Sequence, residues 1–93
     1  MRQSRAAGLV ATLLCCTLVQ AAERSKSVRA EFMREHPCPS TGLTTGACPG
    51  WQVDHRIALC TGGADRAENL QWLTVEDHKV KTKSDVRLCR THS

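Results

Sequence analysis

Aspartate, histidine and asparagine side chains recur in the second half of the chain, and these residue types can hydrolyse phosphodiester bonds. Such hydrolysis needs a water made nucleophilic near neutral pH and positive charge on the phosphate and the leaving oxygen. A histidine can take the proton of the water, whereas a carboxylate with a neutral imidazole forms an open site for one divalent ion. Each of these residues alone more often has a structural role, but their occurrence together favours a functional site. The set comprises Asp54, His55, Asn69 and His78, with the turn Gly62-Gly63-Ala64-Asp65 between them.

Two short strands are predicted to carry most of this set. Residues 51–55 alternate apolar and polar, as a strand does, and residues 69–73 repeat the pattern after a turn at 61–65. Adjacent strand residues point to opposite faces, so residues 54 and 55 can serve one site only where the strand bends or ends. A strand that ends at residue 55 and continues as a loop allows this.

A helix is predicted from about residue 75 to residue 90. Thr74 is a good N-cap, and Asp77 stands where a capping box would place an acidic residue. At 3.6 residues per turn, four residues of this helix form one stripe that should face the strands. They are His78, Thr82, Val86 and Cys89.

The same helix is rich in basic residues, among them Lys79, Lys81 and Lys83. A basic helix is often only a solvated face. The alternative is a patch that contacts phosphate groups. Both interpretations stay open on the sequence.

The stretch 53–82 (VDHRIALCTGGADRAENLQWLTVEDHKVKT) resembles the HNH endonuclease family and its ββα-metal fold. Its landmarks occur in the family's order: Asp-His, a short apolar stretch, Gly-Gly, Asp, Asn-Leu-Gln and a helix with an H-x-x-K-T pattern. The resemblance implies that Asp54 and His78 bind one divalent ion, Mg²⁺, Mn²⁺ or Zn²⁺. It also implies that His55 is the general base and that Asn69 holds the loop and orients this base. Nucleic acid, most simply DNA, is the implied partner.

The stretch departs from the family pattern in two ways. Ala58 stands where the family often has proline, which affects only the rigidity of the loop. Many members also carry two C-x-x-C pairs around a structural zinc, and this chain has no such pairs. We therefore expect disulfides in place of the zinc.

The first 22 residues read as a secretory signal peptide. Arg2 and Arg5 precede an apolar run from Ala6 to Val19, and small residues follow at a cleavage-like site. A transmembrane helix is the alternative, but it needs about 20 apolar residues and this run is shorter. The sequence therefore predicts a secreted or periplasmic protein.

The remainder is a small α+β chain with few apolar residues for a core. Residues 23–36 are predicted as a helix that Pro37 ends, and residues 37–50 as a loop rich in proline and glycine. Residues 51–93 would form the ββα-metal core. A domain of this size usually needs cross-links, and four cysteines after a signal peptide favour disulfides over a cysteine–zinc site. Three pairings are possible, of which we predict Cys38–Cys48 and Cys60–Cys89.

Composition narrows the function further. The chain has a formal net charge of +4 and only 3 aromatic residues among 93, which argues against a base-stacking platform or an aromatic ligand cage. Nothing resembles a sequence-reading element, so cleavage with little sequence preference is expected. Two other hypotheses stay open: a non-catalytic nucleic-acid- or metal-binding module on the same fold, and a small disulfide-stapled structural or toxin domain.

Overall fold

The computed structural model describes residues 25–92, which form a mixed α+β chain. Helix α1 covers residues 25–35, strand β1 Trp51–His55, strand β2 Leu70–Thr74 and helix α2 Val75–His92. The predicted signal peptide, residues 1–22, lies outside the described residues. No helix within residues 25–92 is long and apolar enough to cross a bilayer.

The two strands form an antiparallel hairpin that leads directly into α2. Val53 pairs with Trp72, and Asp54 pairs with Gln71. Strand β2 begins one residue later than predicted, because Asn69 is still part of a short 3-10 turn. Helix α2 begins where predicted and continues to His92, two residues beyond the predicted end.

Helix α1 packs on one face of the hairpin and forms the core with it. The Phe32 ring lies 5.6 Å from the Trp72 ring, and the Trp72 indole donates a hydrogen bond to the His36 carbonyl at 2.8 Å. The helix ends before Pro37, as predicted from the restriction that proline places on its predecessor. The buried cluster is Phe32, Met33, Ala67 and Leu70, with Val28, Val53 and Trp72 against it.

Helix α2 covers the opposite face of the hairpin, but with a different stripe from the one predicted. His78 and Cys89 face inward, whereas Thr82 and Val86 are exposed. The prediction failed in the middle of the helix because the face of β1 opposite α2 is polar at Asp54, so charged side chains rather than an apolar one turn towards it. The inward stripe is His78, Lys81, Asp85 and Cys89.

Two disulfides connect these elements, and they are the two pairs that the sequence predicted. Cys38 and Cys48 close the loop after α1 with their Cα atoms 5.6 Å apart. Cys60 and Cys89, with Cα atoms 5.5 Å apart, join the loop after β1 to the last turns of α2. The second disulfide thus links the loop between the strands to the end of α2 opposite His78.

Candidate active site

Asp54 lies at the centre of the polar face between the hairpin and α2. Its side chain is only 10% exposed. The Oδ2 atom accepts a hydrogen bond from the Gln71 amide at 3.1 Å and lies 3.1 Å from the Lys81 ammonium. The Oδ1 atom faces the Nε2 atom of His78 at 3.9 Å. One oxygen of the carboxylate is therefore engaged by neighbours, and the other points at an imidazole.

His78 reaches this position because α2 begins directly after β2. The Thr74 hydroxyl accepts a hydrogen bond from the Asp77 backbone at 3.1 Å and caps the helix, as the sequence predicted. His78 then falls at the fourth residue of α2, close to the strand that carries Asp54. Its side chain is 35% exposed, whereas that of Asp54 is 10% exposed, so solvent reaches the pair from the His78 side.

The separation between Asp54 and His78 would allow both to bind one divalent ion. Two ligand atoms that each lie about 2.0–2.2 Å from one ion stand roughly 3–4 Å apart, and the observed separation is 3.9 Å. Residues 25–92 contain no cluster of three or more histidine, cysteine or acidic side chains that could hold a metal. Two protein ligands leave several positions for water and a phosphate, as is usual for Mg²⁺.

His55 contacts a different partner. Its Nε2 atom lies 3.0 Å from Oδ1 of Asp65, and the Ser25 hydroxyl donates to the other Asp65 oxygen at 3.3 Å. The imidazole lines a groove beside α1, together with Val28 and Arg29. Asp54 and His55 thus contact opposite sides of the hairpin, as their adjacency in the strand dictates.

Asn69 holds the loop between the strands through its side-chain amide. It accepts a hydrogen bond from the Ile57 backbone at 3.0 Å and donates to the Ile57 and Ala64 carbonyls at 2.9 and 2.8 Å. These contacts agree with a loop-holding role. The imidazole of His55, however, contacts Asp65 and not Asn69, so any effect of Asn69 on His55 passes through the loop.

The contact between Asp65 and His55 was not predicted from the sequence. There Asp65 was only the end of the Gly-Gly turn and a landmark of the family pattern, without a role. A carboxylate that follows a tight turn ten residues after a histidine can reach back to it, and this was the signal available. The turn itself depends on Gly63, because a Cβ atom at this position would overlap the carbonyl group of Ile57.

Lys81 lies apart from the other two lysines that were predicted to contact phosphate. Its ammonium donates to the His55 carbonyl at 2.7 Å and to Asp85 at 2.6 Å, besides its contact with Asp54. Burial opposes the charge, but the hydrogen bonds that the ammonium donates to Asp85 and Asp54 raise the pKa of Lys81 above its ordinary value. Lys79 and Lys83 are exposed on α2.

No protein-family model, curated protein or solved structure matches this chain.

Proposed function

We propose that this protein is a secreted or periplasmic metal-dependent endonuclease that hydrolyses phosphodiester bonds of DNA with little sequence preference. The observation that carries the proposal is the distance of 3.9 Å between Oδ1 of Asp54 and Nε2 of His78. His55 directly follows Asp54 in the chain, and its imidazole contacts the carboxylate of Asp65. An ion held by Asp54 and His78 would supply positive charge to the phosphate and to the leaving 3′ oxygen.

His55 acts as the general base in this proposal. A carboxylate only accepts hydrogen bonds, so Asp65 fixes the proton of the neutral imidazole on Nε2. The Nδ1 atom is left with its lone pair and can take a proton from water. The water oxygen then bonds to phosphorus, the bond from phosphorus to the 3′ oxygen breaks, and that oxygen leaves with a proton from solvent.

Different observations support export and cleavage without sequence preference. Two disulfides persist where the environment is oxidising, which supports a site of action outside the cytoplasm. The exposed Lys79 and Lys83 would contact phosphates, which carry no sequence information.

Incubation of the purified protein with plasmid DNA and with RNA tests the proposal. Parallel reactions contain Mg²⁺, Mn²⁺, Zn²⁺ or EDTA. We expect nicked and linear plasmid with at least one of the ions and none with EDTA. Intact plasmid under every ion condition would contradict the nuclease proposal, and cleavage confined to RNA would correct the substrate.

Two histidine variants separate the proposed base from the proposed metal ligand. His55→Ala should lower cleavage roughly 10²–10⁴-fold and leave Mn²⁺ binding unchanged, since the base is not a ligand. His78→Ala should weaken both cleavage and Mn²⁺ binding. Calorimetric titration with Mn²⁺ and a plasmid assay measure the two properties. Cleavage by His55→Ala at the rate of the unaltered protein would rule out His55 as the base.

A non-catalytic nucleic-acid-binding module is the second candidate, and Lys81 is the observation that favours it. Its ammonium lies 3.1 Å from Asp54 and would repel an ion bound to the same carboxylate. A protein of this kind would bind DNA equally well in EDTA and with metal, and would never cleave it.

A further inference from the structure

The loop between the strands forms a groove that the proposed chemistry does not use. Its volume is about 640 Å³, within the range of roughly 300–1,000 Å³ that ligand sites occupy. The turn residues Gly62 and Gly63 line one part of it, and Ile57, which is 58% exposed, lines another. Its charged lining residues are Arg56, Arg66 and Glu68.

The two arginines of this groove have no acidic partner in the described part of the chain. Both are exposed, and the ion pairs found within residues 25–92 involve neither of them. Lys81, by contrast, is paired with Asp54 and Asp85. Two unpaired guanidinium groups against one carboxylate, Glu68, leave the groove with an excess of positive charge.

Asn69 holds both arginine-bearing segments in place. The Arg56 backbone donates to the Asn69 carbonyl at 2.7 Å, and the Asn69 backbone donates to the Arg66 carbonyl at 2.9 Å. The bonds of the Asn69 side chain to Ile57 and Ala64 brace the same two segments. The arginines therefore project from a braced loop and not from a free one.

The groove also adjoins the His55–Asp65 pair in the chain. Arg56 directly follows His55, and Arg66 directly follows Asp65, whose side chains lie 3.0 Å apart. Successive phosphates of a DNA strand follow one another at about 3.4 Å of axial rise. The Cα atoms of consecutive residues lie about 3.8 Å apart, so a phosphate next to one at His55 would be within reach of these long arginine side chains.

We propose that Arg56 and Arg66 form a second phosphate-binding subsite, which holds a phosphate of the nucleic-acid backbone next to the one that is cleaved. This inference rests on the proposed function and identifies a binding surface outside α2. Guanidinium groups suit it because their N–H groups match phosphate oxygens in pairs. The exposed Ile57 side chain offers an apolar contact for a sugar.

DNA binding without cleavage tests this subsite. Fluorescence anisotropy with a labelled duplex, in EDTA and over a series of salt concentrations, compares the unaltered protein with the Arg56→Gln/Arg66→Gln double variant. The control is Lys26→Gln/Arg34→Gln, which removes the same charge from exposed positions on α1. We expect the first double variant to bind at least about tenfold more weakly, with a salt slope lower by roughly 0.9 for each phosphate that the protein no longer neutralises.

An equal loss of affinity in both double variants would overturn the subsite, because the effect would then be one of net charge. Arg56→Lys/Arg66→Lys should recover most of the salt slope, and circular dichroism should show that all variants are folded. Inorganic phosphate is the second probe: if it binds at the arginines as tightly as the duplex does, the groove is a free-phosphate site and the proposal fails. Because binding is measured in EDTA, a protein that never cleaves DNA can still pass this test.

Discussion

His55 owes its orientation to Asp65, and this dependence can be measured directly. Asp65→Asn keeps the shape of the side chain, but its amide can donate to Nε2 and favour the wrong tautomer of the imidazole. We expect cleavage to fall roughly 10²-fold or more, with Mn²⁺ affinity unchanged, because Asp65 contacts His55 and Ser25 and neither of the proposed metal ligands. Initial rates of plasmid nicking provide the measurement.

The control for this variant is Glu31→Gln, which removes one exposed carboxylate from α1. It should cleave like the unaltered protein. A full rate in Asp65→Asn would mean that the 3.0 Å contact does not serve the reaction. A lower rate accompanied by a lower melting temperature would point instead to a purely structural contact.

Gly63 allows a close approach of two backbone segments in the same loop, because it has no side chain. A Cβ atom there would overlap the Ile57 carbonyl, so the backbone on one side of the turn has to move. We expect Gly63→Ala to destabilise the protein by about 1–3 kcal/mol and to weaken cleavage. Gly46→Ala is the control: no atom lies within 4 Å, and only its positive φ of 86° adds a cost. Urea denaturation compares the two, and equal stability would contradict the packing account.

Helix α2 places its lysines in two different environments. Lys81 turns inward, whereas Lys79 and Lys83 stay exposed and are available to phosphates. Lys79→Gln/Lys83→Gln should therefore lower the salt slope of DNA binding by roughly 1–2 units without a change in stability. The same anisotropy assay measures it, with Lys26→Gln/Arg34→Gln as the charge-matched control. An unchanged slope would mean that this face of α2 is merely solvated.

The helices and strands were predictable because their signals are local. Alternation marked β1, Pro37 marked the end of α1, and Thr74 marked the start of α2 within a residue. The inward stripe of α2 was not predictable from the sequence, since it depends on which face of β1 the helix covers. Lys81 turns inward only because Asp54 lies there, and no periodicity in α2 contains that information.

Part of the candidate site was also predictable from the sequence, and part was not. The helix stripe predicted that His78 faces the strands, and the resemblance to the ββα-metal fold implied its partner, Asp54. The contact between His55 and Asp65 depends on how the intervening loop folds back, and the side-chain amide of Asn69 braces that loop through Ile57 and Ala64. Such a contact can be predicted only when the conformation of the loop is known.

At the scale of the whole protein, we expect the two disulfides to contribute much of the stability, because the buried apolar cluster is small. The buried apolar cluster of the described residues lies on the α1 side of the hairpin, and the α2 side is polar. Loss of a metal from two ligands should therefore leave the fold intact. Treatment with EDTA should abolish cleavage with no change in the circular dichroism spectrum, and unfolding on chelation would mean that the metal is structural.

The last prediction compares the two disulfides, which close loops of different length and position. On the chain-entropy view, Cys60–Cys89 with a separation of 29 residues contributes roughly 3–4 kcal/mol, and Cys38–Cys48 with a separation of 10 about 3 kcal/mol. Because a 1 kcal/mol change moves the melting temperature of a small domain by about 4–8 °C, loss of either should be plain in a thermal scan. Only Cys60–Cys89 joins the His55 loop to the helix that carries His78.

The effects on activity should therefore differ even where the effects on stability are alike. Cys60→Ala/Cys89→Ala should lose most of its cleavage at temperatures where the protein is still folded, because Asp54 and His78 are no longer held at 3.9 Å. Cys38→Ala/Cys48→Ala should retain cleavage below its lowered melting temperature, since its loop lies outside the site. Rates are measured about 15 °C below the melting temperature of each variant, so that both variants are compared in the folded state. This margin is about two to four times the shift in melting temperature expected per kcal/mol. Equal losses of activity in both variants would mean that stability alone, and not the tie between loop and helix, sustains the site.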